Sequence, residues 1–262
     1  MSDESPRKDE VLRKTVLITG ASSGIGAACA EKFAIQGWNL LLTARRQDRL
    51  EALSAHLSAT YGVTVNWQTL DVRRRLDVEQ SLTNWQDRQI DVLINNAGLA
   101  LGWGKLPDNN PDDWDTMIDT NIKGLLWMSR SVVRRMIATG QAGQIVNIGS
   151  IAGIQAYPNG AVYCASKAAV RFISDGLRQD VIEHPIRVTN IQPGFVETEF
   201  SVVRFHGDTN RAKAVYQGIK PLTGQDIADA VWYAVSAPAH VQVAEITLTA
   251  THQANATVIH RA

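Results

Sequence analysis

The chain has 262 residues, 45% hydrophobic and 20% charged, which suits one large core and sits near the upper limit for a single domain. Its 26 basic and 26 acidic side chains cancel, and no basic block stands out, so steering toward nucleic acid or an anionic membrane is not expected. No long uncharged apolar segment and no signal-peptide pattern appears, and a cytoplasmic protein with a small-molecule partner is expected. The start, Met1 to Glu10, is polar and reads as a frayed leader. Cys29 and Cys164, the only cysteines, read as small buried hydrophobes, and no bridge or metal site is expected from them.

Strand and helix patterns alternate along the whole chain. Thr15 to Thr19 is an apolar run closed by glycine, hence a buried strand. From Ile25 to Ile35 the apolar period turns helical, and Gly37 ends it. Asn39 to Thr43 is the second strand, and Leu50, Leu53 and Leu57 stripe the next helix. Thr64 to Thr69 is a third strand, a charged helix runs to about Arg88, and Asp91 to Ile94 is the fourth strand. A long helical region follows from about Asp112 to Ala138, then a fifth strand over Gln144 to Ile148. Ala161 to Ile182 is helical, Arg187 to Ile191 a sixth strand, Asp226 to Val235 a helix and Ala244 to Leu248 a last strand. This alternation predicts an α/β protein with a doubly wound parallel sheet of Rossmann type. No linker or repeat divides residues 1–262, so one domain is expected. Residues 195–222 carry mixed charge and no clean strand period; they form either a substrate cap or an ordinary surface insertion.

Chemistry gathers where strands end. Gly20, Gly24 and Gly26, with Ser22, Ser23 and Ile25 between them, stand after a strand and before a helix, where glycines let backbone approach a pyrophosphate at the helix N-terminus. The spacing is Gly-x3-Gly-x-Gly, not the commoner Gly-x-Gly-x2-Gly, so the turn alone does not decide for a nucleotide. An NAD site normally places an acidic residue at the end of the second strand; this chain has Ala44, Arg45 and Arg46 there. An arginine pairs with a 2′-phosphate that a carboxylate would repel, so Arg45 argues for NADP(H). Arg46 either shares that phosphate or faces solvent. Asp71 and Val72 close the third strand, where an adenine edge would lie, although Asp71 also suits helix capping. Asn95, Ala97 and Gly98 follow the fourth strand, with room for a ribose or a plain turn. Pro193 and Gly194 follow the sixth strand and lead to Val196 and Thr198, suited to a nicotinamide carboxamide.

Tyr163 and Lys167 are four residues apart on a helix and share one face. A nearby ammonium favours the phenolate, so the pair can exchange a proton with an alcohol or carbonyl. Taken alone it is also an ordinary surface pair. Ser150, just past the fifth strand, supplies a hydroxyl that can donate to a substrate oxygen. Asn121 falls mid-helix, where asparagine is a poor helix former, and could hold a kink and a water linked to Lys167.

Together these residues resemble the classical short-chain dehydrogenase/reductase family over residues 15–250. The resemblance implies a sheet of about seven strands, a homotetramer or next a homodimer, and direct hydride transfer without metal. It implies that Ser150 orients substrate, Tyr163 is the acid/base, Lys167 lowers its pKa and holds the ribose, and Asn121 sustains a proton relay. The run Gly194 to Asp208, with Ala214 to Gly218, Pro221 to Thr223, Thr251 to Gln253 and His260-Arg261, resembles the NADP-dependent 3-hydroxy acid dehydrogenases that act on serine and L-allo-threonine. A small hydroxy acid needs a cation for its carboxylate. Arg204 in the cap is the candidate, a solvated arginine is the alternative, and His206 is a second donor. Broad carbonyl reductases and 3-oxoacyl thioester reductases share the same core and stay open as functions.

Overall fold

The computed structural model describes residues 13–262, so the leader expected over Met1 to Glu10 lies outside the described residues. Every residue of β1 (Thr15–Thr19) is buried, as an interior parallel strand covered on both faces must be. The other strands are β2 (Asn39–Ala44), β3 (Val65–Thr69), β4 (Val92–Asn95), β5 (Gly143–Ile148), β6 (Ile186–Pro193) and β7 (Glu245–Leu248). They form one seven-stranded sheet in the order β3-β2-β1-β4-β5-β6-β7, with every pairing parallel. The order reverses between β1 and β4, so their carboxyl ends diverge and leave a crevice, the position at which open α/β sheets bind ligands.

Helices cover both faces. On one lie α1 (Gly24–Ile35), α2 (Gln47–Tyr61) and α9 (Gly224–Ser236), where Phe33 packs edge-on against Trp38 and Trp232 at 5.2 and 5.4 Å. Gly37 closes α1 with a left-handed φ of 77°, as its sequence position demands. On the other face lie α3 (Arg75–Asn84), α4 (Pro111–Ile118), α5 (Leu125–Thr139) and α6 (Ala161–Asp180). Cys29 and Cys164 are both free and buried, and burial pushes the Cys29 thiol up to about 12.

The structure departs from the expected helix over 112–138 in one respect. It is broken by a π-helical stretch, Asp119–Gly124, that joins α4 to α5. Two residues account for the break. The buried Asn121 side chain bonds to the Leu99 backbone rather than to its own helix. Gly124 lies so close to the loop after β3 that a β-carbon there would meet Val72 Cγ2 at 2.6 Å.

Polar side chains also run across the middle of the sheet. Asn95, Asn147 and Asn190 are paired in register on β4, β5 and β6, and all are buried. Asn95 donates to Asn147 Oδ1 at 2.9 Å and to Ser129 Oγ at 2.8 Å, and Asn147 donates to Ser174 Oγ at 2.8 Å.

Residues 195–222, the segment read as a candidate cap, carry helical structure. They contain α7 (Phe200–Arg204) and α8 (Thr209–Ala214), and Val196 bridges Leu222. The Tyr216 hydroxyl fastens the cap by donating to Val196 O at 2.9 Å and lying 2.8 Å from Ser201 Oγ. Among the described residues no helix is long and apolar enough to cross a membrane.

Candidate active site

The carboxyl ends of β1 to β6 and the cap enclose a cleft of about 860 Å³. Its floor begins at the glycine-rich turn between β1 and α1. Gly20, Ser22, Ser23, Gly24 and Ile25 line the cleft, whereas Gly26 lies behind them. A β-carbon on Gly26 would meet the Gly20 carbonyl at 2.4 Å, so its absence is what lets the turn fold tightly. The N-terminus of α1 has no acidic residue in its first turn, and the Ser23 side chain makes no capping bond. Its amides are therefore left for an anion, and the turn fits a pyrophosphate.

At the end of β2, Ala44, Arg45 and Arg46 all line the cleft. Arg45 is exposed at the rim. Arg46 does not simply face solvent: it donates to Ser22 and Ser23 hydroxyls, at 2.7 Å for Ser23, and to Glu199 at 2.9 Å. The end of β2 thus presents guanidinium groups where a 2′-phosphate would lie, and no carboxylate from β2 opposes them. Asp71 and Val72 also line the cleft. The Asp71 carboxylate takes the Arg73 backbone N–H at 3.1 Å and its guanidinium at 2.5 Å, closing a turn rather than capping a helix. Burial pushes the Asp71 carboxyl up, but the Arg73 hydrogen bonds outweigh it and hold the group below the usual carboxylate range.

Asn95, expected at the cofactor, does not line the cleft. Asn95 is the last residue of β4, and its side chain points into the helix layer, onto Asn147 and Ser129. Asn96, which follows it, lines the cleft in its place and ties β4 to the glycine turn through Thr19 O at 2.9 Å and Gly20 O at 3.1 Å. Ala97 and Gly98 line the cleft as expected, as do Pro193, Gly194, Val196 and Thr198 on the opposite side.

Ser150, Tyr163 and Lys167 meet in the same cleft. Ser150 stands at the start of a short 3-10 turn, with its hydroxyl 3.1 Å from Ala152 N and 3.4 Å from Pro193 O. Tyr163 is buried on α6, with its ring 5.6 Å from that of Phe200. Burial raises its phenol above the usual range, and the neighbouring Tyr157 adds to this. The main groups pulling it down are the Ser150 hydroxyl and the Arg204 guanidinium. The Lys167 ammonium instead donates to Ile148 O at 2.8 Å, and burial pushes it down to about 8. Asn121 does not line the cleft. Its Nδ2 donates to Leu99 O at 2.8 Å and Ser166 Oγ at 3.0 Å, and its Oδ1 accepts from Leu99 N at 2.9 Å. Its remaining reach is toward Gly98, where a β-carbon would lie 3.2 Å from Asn121 Oδ1 and 3.4 Å from Lys167 Nζ.

Arg204 is a buried residue rather than a solvated one. It donates to the Tyr157 hydroxyl at 3.0 Å, and its guanidinium lies 4.5 Å from the Trp103 ring and 5.5 Å from those of Tyr157 and Tyr163. Its Nε is enclosed and has no hydrogen-bond partner. A buried cation beside Tyr163 gives this end of the cleft positive charge. His206 turns away, holding Asp113 at 3.2 Å and tying the cap to α4. Sequence reading did not name Trp103, Tyr157 and Phe200 as the walls of the site. Only their aromatic character, on segments without periodicity, could have marked them. Among the described residues, no group of three or more His, Cys, Asp and Glu could hold a metal ion.

Residues 14–208 match the family model of short chain dehydrogenases. The chain belongs to the short-chain dehydrogenase family. This short-chain dehydrogenase is 44% identical over 241 residues to sulfoacetaldehyde reductase 2 of Chromohalobacter salexigens, covering 91% of this chain and 95% of the relative. It is 44% identical over 250 residues to the NADP-dependent 3-hydroxy acid dehydrogenase YdfG of Salmonella typhi, covering 94% and 99%. Among solved structures, it resembles the closed form of a serine dehydrogenase complexed with NADP+, with a TM-score of 0.86 and 42% identity over 95% of this chain and 100% of that one.

Proposed function

We propose that this short-chain dehydrogenase is an NADP-dependent oxidoreductase of small 3-hydroxy acids, with serine-like compounds among its substrates. The observation that carries the substrate class is Arg204, a buried guanidinium that lines the same cleft as Ser150 and Tyr163 and lies 5.5 Å from the Tyr163 ring. Its carboxylate partner would set the hydroxyl carbon of a short acid beside Tyr163. Ser150 donates to the substrate oxygen, and Tyr163 gives or takes the proton there. Lys167 holds positive charge at the cofactor's ribose, and Asn121 supports the loop against which Lys167 lies. NADP(H) would be held by the α1 amides, Arg45, Asn96 and the Pro193 to Thr198 segment, and when bound it supplies the nicotinamide carbon that carries the hydride.

A second reading shares the same anion site. The relative named sulfoacetaldehyde reductase 2 is as similar as the 3-hydroxy acid dehydrogenase, and an arginine donor does not by itself separate a carboxylate from a sulfonate. A panel separates the readings: serine, allo-threonine, 3-hydroxyisobutyrate and isethionate, methyl esters of the carboxylic acids, a neutral diketone and an acetoacetyl thioester, each with NADP(H) and NAD(H). The acids should be turned over with NADP+ preferred, and methyl esterification should lower kcat/KM by at least about thirtyfold, the loss of one charge-assisted contact. Preference for isethionate selects the sulfonate reading. Activity confined to the diketone or thioester, or a preference for NAD(H), overturns the proposal.

We further propose a symmetric tetramer, with a dimer next. Phe172 on α6 and Leu126 and Ile137 on α5 stand exposed, giving these helices outward apolar positions for another copy. Light scattering at micromolar concentration should return a mass near four chains, and a monomer alone would reject the assembly.

A further inference from the structure

Glu199 stands where the cap begins, immediately ahead of α7. Its two carboxylate oxygens are divided between two arginines at the start of α2: Oε2 accepts from Arg46 at 2.9 Å and Oε1 from Arg49 at 2.7 Å. Arg46 is held at the same time by the Ser22 and Ser23 hydroxyls, so one guanidinium joins the glycine-rich turn to the cap. The neighbouring residue makes a second point of attachment: a β-carbon on Gly24 would lie 3.2 Å from the Thr198 methyl. Beyond this junction α7 carries Phe200 against the Tyr163 ring and Arg204 over the substrate end of the cleft. The two arginines hold the Glu199 carboxyl down to about 2, so it is ionised throughout the neutral range.

We infer that Glu199 is a positioning residue that clasps the substrate cap to the coenzyme-binding turn, linking retention of the nucleotide to the placement of α7. This rests on the coenzyme reading above. Nothing in the proposed chemistry uses Glu199 directly. A carboxylate shared by two guanidinium groups, one of them fixed by two serines, has its geometry set from several sides, which an isolated surface pair lacks. Letting go of Glu199 would free the N-terminal end of α7 and expose the phosphate end of the cleft together.

The test compares wild type, E199Q, R49Q and the double variant. NADPH release is followed by nicotinamide fluorescence in a stopped flow, and KM for serine is measured at saturating NADP+. E199Q should release NADPH about three- to fivefold faster, the scale of an exposed ion-pair network, and raise KM for serine about threefold. R49Q should give a smaller change in the same direction. The double variant should be no worse than E199Q, because both substitutions break one unit. Raising salt toward 1 M should speed release from both, because the phosphate contacts are screened in each, but by a larger factor from wild type than from E199Q. Unchanged release in E199Q overturns the clasp, and so does additivity of the two substitutions. Slower release also overturns it, since that would make the carboxylate a competitor of the 2′-phosphate. Wild type that fails to bind NADPH would strike the coenzyme reading itself, whereas normal binding with unaltered release strikes the clasp alone.

Discussion

Tyr163→Phe is expected to lower kcat about a thousandfold while leaving the NADPH dissociation constant within about threefold, the range for loss of a positioned acid/base. The substitution removes one hydroxyl and keeps the ring that packs on Phe200 and beneath Arg204, so the fold and cleft should persist. The pH profile adds a signed expectation. Burial holds the phenol protonated through the neutral range, which suits it to give a proton in reduction. Lys167, pushed down to about 8, is cationic at pH 7 and loses its charge as the pH rises through that value. Reduction should therefore be level near pH 6–7 and decline above about pH 8. Oxidation requires the phenol to give up its proton, so it should gain relative to reduction as the pH rises. Wild-type turnover in Tyr163→Phe, or reduction that increases above pH 8, would remove Tyr163 and Lys167 from these roles.

Arg204→Met should reduce kcat/KM for hydroxy acids by about 2–5 kcal/mol, or about thirtyfold to several thousandfold, by analogy with truncated charge pairs. Methionine keeps an apolar stem between Trp103 and Tyr163, which limits the packing loss. The effect should fall mainly on KM if Arg204 binds ground state and transition state alike, and on kcat if it aligns the hydroxyl with Tyr163. A neutral ketone should lose less than about threefold, and coenzyme affinity should not move. Equal losses for acids and neutral ketones would show that Arg204 builds the wall of the cleft without reading substrate charge.

Much of this was legible in the sequence because a parallel α/β sheet brings strand ends to one edge. Gly20, Arg45, Asp71, Gly98 and Ser150 each follow a strand and Pro193 ends one, so recognising the strands was enough to gather them. Side-chain direction was less legible. Asn95 and Asn96 are identical neighbours, and which one faces the cleft depends on whether β4 stops at Ile94 or one residue later. The ladder runs on to Asn95, so the two amides take opposite sides. A one-residue difference in boundary is finer than composition and periodicity resolve. The π-helical stretch was marked only by an asparagine in a helical pattern, because its cause is tertiary: the Leu99 backbone and Val72. Arg46 was equally hidden. Its partner Glu199 lies 153 residues away, and only the folded cap brings the two together.

The buried asparagines of β4 and β5 have a consequence for how the edge comes to be level at all. Interior strands such as Val92-Leu93-Ile94 and Ile145-Val146 are apolar on both faces and would pack almost as well when displaced along one another. Asn95 and Asn147 are not indifferent to such a shift. A slip would turn an amide into an apolar layer and strip the Ser129 or Ser174 hydroxyl of its partner, at about 1–3 kcal/mol for each stranded group. The Asn95–Asn147 pair therefore marks the correct alignment of β4 with β5 the way a notch marks a key. Asn96 lies one residue beyond Asn95, and Ser150 lies three beyond Asn147. Groups that must meet around a single small substrate are set at one height by side chains that never touch it.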